Sequence, residues 1–217
     1  MRFLFYFLIT LSFASCAVFE TPQPYGIPPL KEVPNELYGK YTVENADDLS
    51  TITIGKSEIL ITTHERGKFN KNQLRKIEDS YYTVVKSEFG NYVIGELTRI
   101  QFTNDSAFAD VVVEEMFELG YNLEIKKVDS FYIFNFLIVS DGGDQGWTPL
   151  LMDNFGRNYR TYLLSNDYVE EIEEKGVSNG SLRDLTVSDI RGLFSDRRDL
   201  ILYIELDLQR KLFRAYD

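Results

Sequence analysis

Apolar and polar residues alternate with a period of two over much of this chain, the spacing of strands that bury one face. The clearest case is a hairpin over residues 49–54 and 58–63. There Ile52 and Ile54 alternate with Thr51 and Thr53, and Gly55-Lys56-Ser57 supplies the turn. Further strands are expected at 36–43, 81–86, 92–102, 123–128, 147–152 and 159–164, with Gly90-Asn91 suited to a turn at positive φ. Residues 131–139 are apolar at every position except Asn135, as expected of a strand covered on both faces. Residues 107–119 fit two patterns. Ser106 could cap and Gly120 end a helix with Phe108, Val112 and Met116 on one stripe, but Val111-Val112-Val113 and the flanking strands favour β, and a strand is assigned.

The C-terminal part changes character. Ser165 or Asn166 caps a short acidic helix over 167–175 that Gly176 ends, and Thr186-Val187-Ser188-Asp189 has the form of a capping box opening a helix through Phe194. Residues 200–208 alternate again and are assigned as a closing strand, with a helix as the alternative. The fold class expected is mainly β: an antiparallel meander forming a barrel or barrel-like sheet, with short helices near the C-terminus. No linker divides residues 35–217, which read as a single domain.

The first residues follow neither pattern. Met1-Arg2 precedes eleven residues from Phe3 to Phe13 that are apolar but for Thr10 and Ser12, then Ala14-Ser15-Cys16, and Cys16 is the only cysteine. A spanning helix needs about 20 apolar residues; a short basic start, a brief apolar run and small residues describe an export signal instead. The setting of Cys16 resembles the lipobox of bacterial lipoproteins, although Phe13 stands where that family usually has Leu. The resemblance implies removal of a signal peptide at 1–15, lipidation of Cys16 and attachment to a membrane of the bacterial cell envelope, on a face the sequence leaves open. Two alternatives stay open: secretory cleavage after Ala17, and a single-span anchor extended to Phe19. Five of the six prolines then fall between Pro22 and Pro34. Residues 16–34 therefore read either as a tether, reaching about 55 Å if polyproline-like, or as an irregular arm packed on the domain.

Composition narrows the functions. With 34 acidic and 23 basic residues the net charge is −11, which excludes nucleic acid as an expected partner because phosphate binding needs concentrated positive charge. Lys68, Lys71, Arg75 and Lys76 form the one basic cluster and read as a solvated loop or helix face. His64 is the sole histidine, placed at a strand end, so no zinc site of several His and Cys fits within one chain. Neither a nucleophile elbow nor a phosphate-binding glycine loop occurs, and no cofactor is expected. Asp141-Gly142-Gly143-Asp144-Gln145-Gly146 reads as a glycine-rich turn, and Asp141, Asp144 and Trp147 are the candidate ion or ligand contacts. Trp147 fits a core position or a pocket wall. A pair of acids for hydrolysis would have to be assembled in space from Glu114, Glu115, Asp141 or Asp153. Glu170, Glu171, Glu173 and Glu174 read as a solvated helix face.

Pro34-Asn35-Glu36-Leu37-Tyr38-Gly39-Lys40-Tyr41, with the strands of Ile52 and Ile59, resembles the opening of lipocalin-like lipoproteins, and Gly146-Trp147 with Leu150-Leu151 is similar to hairpins of uncharacterised Bacteroidota-type envelope lipoproteins. The usual lipocalin Gly-x-Trp is Gly-x-Tyr here. The resemblance implies a meander wrapping its own core and transfers no catalytic residue. Three functions follow in order: a non-enzymatic, membrane-tethered interaction or structural module whose partner is an envelope protein; a carrier of a small apolar ligand or lipid; and a carboxylate-dependent hydrolase.

Overall fold

The computed structural model describes residues 19–44, 51–87, 90–139, 145–175 and 184–215. Thirteen strands form one sheet: β1 (Gly39–Glu44), β2 (Thr51–Ile54), β3 (Glu58–Asn70), β4 (Leu74–Ile77), β5 (Ser80–Ser87), β6 (Gly90–Phe102), β7 (Ser106–Glu118), β8 (Leu123–Val128), β9 (Phe131–Val139), β10 (Gln145–Phe155), β11 (Asn158–Leu164), β12 (Leu200–Asp207) and β13 (Leu212–Ala215). Helices α1 (Asn166–Lys175) and α2 (Val187–Asp196) lie between β11 and β12. The spatial order is β4-β5-β6-β7-β3-β2-β1-β13-β12-β11-β10-β9-β8, parallel only at β1–β13. The chain is thus mainly β with short helices near its C-terminus, as the alternation implies, and residues 107–119 are a strand.

The sheet is open but rolled. Seven strands separate β7 from β9, yet the rings of Phe117 and Phe136 meet edge-on with centroids 4.8 Å apart. Inward-facing Ile52, Ile54, Ile59, Ile61, Phe134, Leu150, Met152, Ile204 and Phe213 fill the enclosed space, and burial of this apolar area is the main force holding the roll. The β7–β8 turn stitches the two sides, since Leu119 N–H donates to the Ser57 carbonyl at 2.7 Å and Leu137 N–H to that of Asn122 at 2.9 Å.

From Phe19 the proline-rich segment is an arm packed on the body, the second of the two forms the sequence left open. Phe19 and Trp147 exchange both backbone hydrogen bonds, at 2.9 and 2.8 Å. Gln23 N–H donates to Asn135 Oδ1 at 2.7 Å, and Asn135 Nδ2 donates back to the Gln23 carbonyl at 2.9 Å. That exchange explains the one polar residue in β9: it satisfies arm backbone that would otherwise be buried unpaired. Leu30 N–H donates to the Ile125 carbonyl, so the arm also covers the free edge of β8. Lys126 is buried beneath it, donating to the carbonyls of Pro22 and Pro24. Its burial lowers its pKa against the opposing attraction of Glu124 and Asp184.

The outer face of β8–β11 carries a second core, in which Ile133, Leu151, Tyr162 and Leu164 meet Ile172, Ile190, Leu193 and Phe194 from the helices. β9 is therefore covered on both faces, as a run apolar at every position but Asn135 requires. The capping box of α2 is formed: Thr186 Oγ1 accepts from Asp189 N–H at 3.2 Å while Asp189 Oδ2 accepts from Thr186 N–H at 2.7 Å. Thr186→Ala is expected to lower stability by about 1 kcal/mol, read as a shift of the urea midpoint at unchanged slope.

Three expectations need correction. His64 does not end a strand: β3 runs on to Asn70, and His64 pairs with Val112 in its middle. Lys68 belongs to that extension, while Arg75 and Lys76 lie on β4, so the basic cluster is largely strand instead of loop or helix. The domain also closes through β13, an extra strand after 200–208 that lies parallel to β1.

Candidate ligand cavity

The roll encloses a cavity of about 70 Å³, walled by Ile52, Ile54, Ile59 and Ile61 on one side and Phe134, Phe136, Leu150 and Met152 on the other. Strand alternation places these side chains. Positions 59 and 61 of β3 face positions 150 and 152 of β10, and Phe117 of β7 and Phe213 of β13 fill the gaps.

One end is sealed. Tyr41 is fully buried there, its hydroxyl donating to the Leu37 carbonyl at 2.6 Å and its ring meeting Phe213 edge-on. Lys211 lies over the Tyr41 ring and donates to the Tyr38 carbonyl at 3.0 Å. Gly39, the first residue of β1, has φ +153°, a conformation that residues with a Cβ rarely adopt, which is why glycine opens this strand. At the same end Tyr132 and Tyr159 both donate to Glu36 Oε1, at 2.8 and 3.3 Å. Burial pushes the Glu36 carboxyl up, but its backbone and tyrosine hydrogen bonds, with Lys127, outweigh that and leave its pKa below the ordinary value.

The opposite end is polar and unsatisfied. Each of three strands carries a polar residue one inward position beyond a lining residue: Thr63 after Ile61, Thr148 before Leu150, Glu115 before Phe117. Thr63 is 2% and Thr148 1% exposed. Thr63 Oγ1, Thr148 Oγ1 and Glu115 Oε2 are buried with no hydrogen-bond partner among the described residues. Burial raises the Glu115 pKa from 4.5 to about 7. Native structures leave few such groups unpaired, and here three converge on one rim.

No protein-family model, no curated protein and no solved structure matches this chain. Its chemistry is therefore argued from its own residues.

Of the residues singled out from sequence, Cys16, Asp141 and Asp144 lie outside the described residues. Trp147 is half-buried at the start of β10 and serves as backbone partner of Phe19. Of the acids considered for hydrolysis, the three described, Glu114, Glu115 and Asp153, are not brought together. Glu114 is exposed on the outer face of β7, Glu115 points inward, and buried Asp153 faces the helices, where it accepts from Arg197 at 2.5 Å. Among the described residues no three His, Cys, Asp or Glu form a group that could hold a metal. Glu170, Glu171 and Glu174 are exposed on α1. A second, polar groove of about 230 Å³ lies between Asn158, Glu205, Asp207 and Arg210, but Glu205 there is already engaged by Arg160 at 3.1 Å and Asn158 at 2.8 Å.

The rim was not identified from sequence, though a signal existed. Along β7 the residues Ala107, Ala109, Val111, Glu115 and Phe117 share one strand face, so one carboxyl stands on an otherwise apolar stripe.

Proposed function

We propose that this chain is a membrane-tethered lipoprotein of the bacterial cell envelope, in which a lipocalin-like β-module works without enzymatic chemistry as an interaction or structural domain. The observation that carries this reading is the filled interior. A void of about 70 Å³ is far below the roughly 300–1,000 Å³ of pockets that enclose drug-sized ligands, so the outer surface remains the main working part. The Gly39-Lys40-Tyr41 segment supports the lipocalin-like description, because it is the first strand along the chain and its Tyr41 is fully buried in the core. The arm supports close mooring. Three peptide steps separate Cys16 from the backbone-paired Phe19, at most about 10 Å of chain. No helix among the described residues is long and apolar enough to cross a membrane, and on this reading the lipid on Cys16 does the holding. Several acyl chains at about 0.8 kcal/mol per buried methylene make such attachment durable.

Expression of the full chain in a bacterial host with labelled fatty acid tests this. Wild type is expected to incorporate label and sediment with membranes, and Cys16→Ala to lose both. Unlabelled wild type, or Cys16→Ala that still sediments with membranes, overturns the tether.

A second reading, a carrier of a small apolar ligand or lipid, is favoured by one specific observation: three buried polar atoms at one end of the cavity have no hydrogen-bond partner among the described residues.

A further inference from the structure

We infer that the cavity takes the alkyl end of a small amphiphile with a hydrogen-bond-donating head, an alcohol or a primary ammonium, received at the rim by Thr63, Thr148 and Glu115. This rests on the second reading above and specifies its ligand.

Size comes first. A dry apolar cavity of about 150 Å³ suffices for benzene, and this one is about 70 Å³. It fits the terminal roughly three or four carbons of a short linear or branched chain, with the carbon that bears the head left at the rim; a sterol or long acyl chain is too large. Eleven of the thirteen residues along the wall are apolar, with only Thr161 and Tyr203 carrying hydroxyls, so such a group gains dispersion contacts along it.

The head is set by the rim. Threonine hydroxyls both donate and accept, but Glu115 ionised, as it is above about pH 7, only accepts, so a head that satisfies all three at about pH 8 must donate. Glu115 Oε2 is buried without a partner among the described residues, and a donor from the ligand would supply the missing hydrogen bond. An anionic head is disfavoured twice. It would repel Glu115 once ionised, and Lys211 over Tyr41 and Lys127 over Tyr132 are held at the sealed end. Thr63 pairs with Val113, and Ile61 with Glu115, so Thr63 and Glu115 are diagonal neighbours on the inner face, within reach of one head group.

The test uses the purified full chain with three probes sharing a carbon skeleton: isoamyl alcohol, isoamylamine and isovalerate. Thermal unfolding and isoleucine-methyl NMR are recorded against concentration. The alcohol and the amine are expected to raise the melting temperature saturably and to shift the methyls of Ile52, Ile59 and Ile61 but not that of exposed Ile201. Isovalerate is expected to do neither, and Glu115→Gln to weaken the amine at least tenfold. Ile61→Phe, which fills the cavity, is expected to abolish binding. Should it fail to fold, the methyl shifts in wild type decide the location by themselves. Isovalerate binding in the cavity as well as the alcohol would overturn the assigned head group while sparing the carrier reading. No saturable shift from any probe would overturn both, and binding that leaves Ile52, Ile59 and Ile61 unperturbed would overturn the site.

Discussion

Arg197→Ala is expected to destabilise the protein by about 3 kcal/mol, although Arg197 lies at the surface end of α2. Its partner is the reason. Asp153 is 3% exposed on the outer face of β10, and its Oδ2 accepts from Arg197 Nη2 at 2.5 Å. Asp153 Oδ1 has no partner among the described residues, so the guanidinium is the main compensation for a carboxylate inside the second core. Removing one member of a buried pair leaves the other uncompensated, at a cost of about 3–5 kcal/mol. The lower end applies because the Arg197 side chain is 43% exposed. The same guanidinium donates to Tyr162 Oη at 2.9 Å and lies against that ring, so geometry matters as well as charge. Arg197→Lys is expected to recover only part of the loss. The double variant Asp153→Leu/Arg197→Ala is expected to be more stable than Arg197→Ala, since no buried charge remains. Arg197 has φ 63° as the C-cap of α2; Arg197→Gly relieves that strain but still loses the pair, and should fall between wild type and Arg197→Ala. Urea unfolding of the four variants checks the order. A loss below 0.5 kcal/mol for Arg197→Ala would mean that Asp153 is satisfied by water.

Glu115→Gln is expected to stabilise the protein at pH 8 and to change little at pH 4. Burial raises the Glu115 pKa from 4.5 to about 7 in the folded state. The folded chain thus holds this proton more tightly than the unfolded chain does. Its contribution is fully favourable below about pH 4.5 and is lost as pH rises through 7. A shift of this size corresponds to about 3 kcal/mol at most, discounted because the carboxyl is only partly enclosed. Glutamine has similar shape and no charge, so the difference between variant and wild type isolates this one group. It should grow between pH 4.5 and 7 and then level off. Urea midpoints at pH 4, 6 and 8 measure it, and a difference independent of pH would contradict an inward-facing carboxyl.

Much of the fold was legible because most strands cover one half-buried or two buried faces. The Ile52/Ile54 alternation, the 131–139 run with its single polar residue and the Thr186–Asp189 capping box each state their geometry locally, and all three are present. The distal part of β3 and β4 was not legible. Beyond Thr63 that strand reads His64, Glu65, Arg66, Gly67 and Lys68, which carries no apolar face. It is held instead by pairing with β7, where Arg66 and Arg99 both approach Asp110 at 3.8 and 3.7 Å. Residues 212–215 escaped notice because four residues after a turn show no period, and their place beside β1 depends on the roll of the whole sheet. Asn135 was visible as an exception, but its partner, the backbone of Gln23, lies 112 residues away. The cavity rim was hidden for the same reason: Thr63, Glu115 and Thr148 come from separate strands, and only rolling brings them to one end.

The most direct measurement is the intact mass of the mature protein, extracted from the membranes of a bacterial host. A chain beginning at acylated Cys16 is predicted, its arm resuming at Phe19 on the body it moors. An unmodified chain beginning at Met1 in a cytosolic fraction, or one beginning at Val18 in the soluble export fraction, would contradict it.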